Sequence, residues 1–197
     1  MTSWIRQLGW AVRLGIVVMI GCLVGVAGEA THPVATRELE VERFSVVSPR
    51  PFDEVLSRIE QEVGHPDMAS LLRKIAAARN ESELEDAVNQ TVGPTGLIEF
   101  SRFDLGEVLR KEQAGQAPQI VRLLVGNPLI MKQMVKFVPD AGSYAPVTVL
   151  IDRRPDGVHV SYDTMSSFLA VYGSEKASQI AQALDIKIET LIKSAAF

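Results

Sequence analysis

Beyond residue 30 the sequence holds neither cysteine nor tryptophan: its single cysteine, Cys22, and both tryptophans, Trp4 and Trp10, fall within the first 30 positions. A chain processed after that stretch has no disulfide, no thiol nucleophile and no thiolate metal site. An exported domain without disulfides must be held by its core, and about 165 residues suffice for one. Basic clusters are missing too. The whole chain has a net charge of −4, and because the first 30 residues contain Arg6, Arg13 and Glu29, the remainder stands at −5. A mildly acidic chain without a basic patch speaks against nucleic acid as a partner. Histidine is sparse, and His32, His65 and His159 make no metal-binding spacing with one another. No internal repeat, low-complexity block or nucleophile elbow occurs, and Ser161 sits in a strand-like segment.

What is present begins with a leader. Arg6 and Arg13 precede an apolar run from Leu14 to Ala27, followed by the small residues Gly28 and Ala30, which is a secretory signal pattern. The run is about 14 residues, shorter than the roughly 20 that cross a bilayer core, so a cleaved signal is the expected reading. The alternatives are an uncleaved anchor from Trp10, with Arg13 reaching back to the interface, and a lipoprotein box at Met19-Ile20-Gly21-Cys22. All three place the remainder outside the cytoplasm, in a bacterial periplasm or at the periplasmic face of the inner membrane, with the membrane as partner if the segment stays uncleaved. The expected organisation is a signal or anchor over 1–30, a polar tether over 31–42 and a single domain over 43–197.

Within the domain, strands are expected at Phe44–Val47, Leu97–Asp104, Gln119–Val125, Val147–Asp152 and Val158–Asp163. The last two read as a hairpin in which Asp156-Gly157 supplies the turn chemistry. Helices are expected after Pro51, with Phe52, Val55, Leu56, Ile59 and Val63 on one face, and over Asp67–Arg79, Glu81–Val92, Leu105–Gln113 and Pro128–Phe137. Asn80 and Glu83 have capping-box spacing. A long helix from Ser174 aligns Ala177, Ile180, Ala181, Leu184, Ile188, Leu191, Ile192 and Ala195. Mixed elements with one clear hairpin predict an α+β fold, a largely antiparallel sheet packed against helices, with the long helix at the C-terminus.

The ordered set of a Pro-Phe-Asp helix start, a strand ending in Gly126-Asn127-Pro128, the YAPV and DGVHVSYD strands and the terminal helix resembles domain-of-unknown-function family 302, roughly from Phe44 to Ala195. The resemblance implies a compact α+β domain, often dimeric, without an established activity. The helical region at about 66–92 and the leader depart from the shorter family pattern and set this chain apart as an exported, membrane-proximal member.

Few residues offer chemistry. Asn127 suits the N-cap of the helix at Pro128, while the turn at Gly126 could present backbone N–H groups to a small anionic ligand. Arg122 shares a strand face with Ile120 and Leu124, about 13 Å from Gly126 by strand rise. A guanidinium there needs either a carboxylate, with Asp104 and Asp163 the candidates, or an anionic ligand. Tyr144 and Tyr162 are candidate donors to a ligand, or ring-burying core residues with satisfied hydroxyls. Met131, Met134 and His159 are the weak candidates for copper or an axial haem ligand, with core packing and solvation as the plainer readings. No other cofactor is implied. The expected role is therefore a non-catalytic, exported or tethered module that binds a small ligand or a partner, including a second copy. The alternatives are a redox or metal- or haem-dependent accessory enzyme of the envelope, and a structural protein whose exposed terminal helix binds a partner.

Overall fold

Three strands with strict alternation lay the floor of the core. The computed structural model describes residues 35–111 and 118–197. The tether that it describes, residues 35–42, has no regular structure, and the leader lies outside the described residues. From Arg37 onward the chain forms one body. Its elements run β1 (Arg43–Ser48), α1 (Phe52–Glu62), α2 (Met68–Ala77), α3 (Glu81–Asn89), β2 (Ile98–Asp104), α4 (Leu105–Arg110), β3 (Ile120–Gly126) and α5 (Pro128–Val135). A 3-10 turn over Pro139–Ser143 follows, then β4 (Val147–Arg154), β5 (Gly157–Asp163), α6 (Met165–Ala170) and α7 (Glu175–Ala196).

The strands make one sheet in the order β1-β5-β4-β3-β2, and every neighbouring pair is antiparallel. This is the α+β architecture that the mixed pattern predicts. Period-two alternation sends Val121, Leu123, Val125, Val147, Val149, Ile151, Val158, Val160 and Tyr162 to one face, where all are buried. Against that face pack Phe52, Val55 and Ile59 of α1, Met134 of α5, Met165 and Leu169 of α6, and the apolar stripe of α7. Each fully buried branched side chain in such a stripe contributes about 1.5–3 kcal/mol relative to exposure.

Helix α7 starts where Ser174 caps it, accepting from the Ala177 N–H. Leu184, Ile188, Leu191 and Ile192 are buried, and Ile180 packs against the core. The reading of α7 as an exposed partner-binding helix therefore fails: its apolar face is already spent on the sheet. One carboxylate lies within that face. Asp185 is 6 % exposed. It accepts the hydroxyl of Tyr162 and the backbone N–H groups of Met165 at 2.8 Å and Ser166 at 3.0 Å. It thereby caps α6 from another helix, a role that Thr164, the residue before α6, does not fill.

Several local expectations change. Helix α6 and the 3-10 turn have no counterpart in the sequence reading, being too short to show a period. Asn80 does accept from the Glu83 N–H at 2.9 Å, but the Glu83 carboxylate turns to Arg79, so only half of the capping box forms. In the β4–β5 hairpin Arg154 pairs with Gly157, leaving Pro155-Asp156 as the two-residue turn. Gly157 belongs to the strand instead. Its φ is 142°, and a Cβ there would lie 2.8 Å from the Ser48 carbonyl oxygen. The glycine is required by the close approach of β1 as well as by its own backbone.

Gly157→Ala is expected to lower stability by about 1–3 kcal/mol, the range for a strained left-handed backbone, as read by urea unfolding. An unchanged midpoint would contradict the close approach. Tyr162 gives a second test. Burial, followed by the Asp185 charge, raises its hydroxyl pKa far above the ordinary value. The folded protein then holds a proton that the unfolded chain releases above about pH 10, so stability is complete below that pH and falls as pH rises, by at most about 1.4 kcal/mol per pH unit. Tyr162→Phe should flatten this alkaline slope and remove about 1.5–3 kcal/mol at neutral pH. Equal slopes in the two proteins would exclude the effect.

Candidate functional site

The second face of the sheet is where surface chemistry collects. Register places Val47, His159, Asp152 and Ile120 in one row, and Ser45, Ser161, Leu150, Arg122 and Phe103 in the next. Thr148 and Leu124 belong to a third row, next to Ser101. Apart from Asp152, these side chains are half-buried or exposed, with Val47 at 42 % and Phe103 at 40 %. None of them belongs to the main buried cluster, which the packed face and the helices against it form.

Arg122 stands in the middle of β3 on this second face. Its guanidinium carbon lies 4.5 Å from the centre of the Phe103 ring, the neighbour across the β3–β2 ladder. Its Nε is buried and has no hydrogen-bond partner. The ion pair expected with Asp104 or Asp163 does not form: Asp104 caps α4 and pairs with Arg110, and Asp163 pairs with Arg43 at 2.6 Å. Both acids have closer cations on adjacent segments, so Arg122 is left on an aromatic ring with no carboxylate among the described residues.

The Gly126-Asn127-Pro128 turn is built differently from an anion cradle. Gly126 is buried and pairs with Ile98 as the last residue of β3. Asn127 caps α5, accepting from the Leu129 N–H at 2.7 Å, and its own amide donates to the Gly96 carbonyl at 2.8 Å. Both ends of that side chain are thus consumed in joining the helix start to the 93–96 loop. The crevice beside them has room for about 10 Å³, roughly one water. Arg122 faces the other side of the sheet, so strand alternation keeps it apart from this crevice.

The tyrosines are also occupied. Tyr162 is 2 % exposed and bound to Asp185. Tyr144 stacks on Phe168 with ring centres 4.7 Å apart, and its hydroxyl meets that of Tyr172 at 3.0 Å. That hydrogen bond, with burial and Asp140 adding to it, raises the Tyr172 pKa. The Arg37 guanidinium lies over the Tyr172 ring, 4.8 Å from its centre.

Met131 and Met134 line the same small crevice, Met134 fully buried in the core. His159 is on the opposite sheet face, with its Nε2 2.8 Å from Asp156, so no single site gathers the three. Among the described residues no group of three or more His, Cys, Asp or Glu side chains is placed to hold a metal ion, and no helix is long and apolar enough to cross a membrane.

Sequence reasoning found Arg122 and its face-mates Ile120 and Leu124 but missed Leu150 and Phe103 beside them. The signal for Leu150 was present in VTVLID, where an apolar residue occupies the register otherwise held by Thr148 and Asp152. Phe103 had none, since the bulge between Glu99 and Ser101 shifts the alternation of β2.

This geometry has relatives. The model of the family "Domain of unknown function DUF302" matches residues 73–195. A solved structure, the uncharacterised conserved protein DUF302 from Bacillus stearothermophilus, superposes with a TM-score of 0.55 over 78 % of this chain and 97 % of that one. At 12 % identity that likeness concerns the fold alone. No curated protein matches. With more than half of its length matched by the family model, and with the sheet and terminal helix in place, the chain belongs to the DUF302 family.

Proposed function

We propose that this chain is a non-catalytic binding module. It is exported to the periplasm or held at the periplasmic face of the inner membrane, and it pairs with a second copy through the second face of its sheet, with Arg122 as the contact for an anionic group. The observation that carries this reading is the composition of that face. An antiparallel sheet with one face in water ordinarily alternates apolar inward and polar outward. Here Ile120, Leu124 and Leu150 occupy the outward register on the two central strands, flanked by Val47 and Phe103. A buried guanidinium N–H without an acceptor in the same patch calls for an incoming oxygen. A two-fold interface needs both signs of charge on one surface, and this one also carries Asp152 and Asp163, whose carboxylates, paired within the chain with Arg154 and Arg43, a partner's guanidinium would have to share. The leader pattern at residues 1–30 supports the location.

Native mass spectrometry and sedimentation of the full chain in a neutral detergent are expected to give a dimer. Leu150→Lys should yield a folded monomer, because its side chain points away from the core. Arg122→Ala should weaken the dimer by about 2 kcal/mol or more, roughly 30-fold in dissociation constant, if its guanidinium meets a partner acid. A wild-type chain that stays monomeric at micromolar concentration would sink the reading. So would a dimer indifferent to both substitutions.

A further inference from the structure

We propose that the cleft between the β1–α1 turn and the β4–β5 hairpin binds a phosphate group, the terminal group of a small phosphorylated molecule or of a lipid headgroup. One wall is Pro49-Arg50-Pro51 and the other Arg153-Arg154-Pro155, around a volume of about 230 Å³. That lies below the roughly 300–1,000 Å³ of sites for drug-sized ligands, so it suits a headgroup-sized anion and not a nucleotide.

Three observations converge on it. Arg50 directs one terminal nitrogen to Glu54 and the other to the backbone oxygen of Phe197, which fixes the guanidinium plane, yet its Nε is buried with no partner. A charged N–H left without an acceptor costs free energy that an entering oxygen recovers. Arg153 is exposed on the facing wall, while the carboxylates around it are already engaged, Asp152 by Arg154, Asp156 by His159 and Glu54 by Arg50 and Arg58. Among the described residues it has no acid. Finally, Arg154 stands on the same wall as Arg153, so three guanidinium groups line the cleft, while the first turn of α1 carries Asp53 and Glu54 and adds no positive end to it.

The shape of the ligand follows from the walls. Prolines fix the backbone and contribute no N–H, so the oxygens must be met by guanidinium groups approaching from two sides. A carboxylate presents two oxygens in one plane and is satisfied by a single guanidinium fork, whereas the three peripheral oxygens of a phosphate diverge and can reach both walls. This site adjoins the sheet face invoked for self-association, since Arg154 of its wall pairs with Asp152 there, but it does not depend on that reading.

Titration of the full chain in neutral detergent with inorganic phosphate, followed by calorimetry, is expected to show saturable binding at millimolar concentration or below. Arg153→Ala and Arg50→Lys should each weaken it about tenfold, the loss of one charge-assisted contact. Arg50→Lys keeps the charge and deletes the orphan Nε–H. If Arg50→Lys fails to fold, Arg153→Ala decides alone, since its side chain supports no core contact. A parallel titration with dihexanoyl phosphatidic acid separates the sources: tighter binding than inorganic phosphate assigns a lipid headgroup, equal binding a free phosphate. No saturable binding of either compound, or a folded variant that binds like wild type, overturns the proposal.

Discussion

A carboxylate inside an apolar helix face restricts how that helix can sit. Asp185 lies in the buried stripe of α7 between Leu184 and Ile188, and a charge there is tolerable only when several donors reach it. The Tyr162 hydroxyl comes from the sheet and two N–H groups come from the start of α6. Rotating α7 about its axis, or sliding it by one turn, would carry Asp185 away from all three while leaving the apolar contacts roughly satisfiable. The polar triad therefore sets the register between helix and sheet, and hydrophobic burial supplies most of the energy. Through Met165 and Ser166 the same group fixes α6, which follows directly from β5.

With α7 settled, α1, α5, α6 and α7 cover one side and the sheet is left with two unlike faces. On the packed side alternation is strict across β3, β4 and β5. On the other side it lapses at Ile120, Leu124 and Leu150, the positions beside Arg122. A cation resting on Phe103 with one N–H unsatisfied is a local departure from the polar satisfaction found elsewhere on the sheet.

How far this was readable from residue order differs by length scale. The strands from Ile120 to Asp163 and the terminal helix were legible because their apolar periods are long and clean, as in Ala177, Ala181, Leu184, Ile188 and Leu191. Asn127 was legible as a cap because Asn before Pro at a strand end admits few conformations. Helix α6 was not, since its six residues are capped by an acid on α7 rather than by a neighbour in the sequence. Arg122 was placed beside Ile120 and Leu124, with a carboxylate or an anionic ligand as the alternatives, and of these the two carboxylates are taken by other cations. The competition for Asp104 and Asp163 is decided by Arg110 and Arg43, whose proximity is a product of the turn after β2 and of the β1–β5 pairing. Gly157 looked like a turn residue because Asp-Gly usually is one, and only the arrival of β1 against it shows the other reason.

That arrival also concerns the route to the native state. Among the described residues β1 is the first strand and pairs only with β5, so Arg43 meets Asp163 across 120 positions. Ser48, at its end, donates to the Ala196 carbonyl at 2.6 Å, across 148. Both links tie the opening strand to segments far along the sequence. The topology thus has a high contact order, and closing so wide a loop delays the final docking step. Any state in which β1 has not yet docked leaves the edge of β5 unpaired, and the sheet is closed on that side only when β1 returns to it.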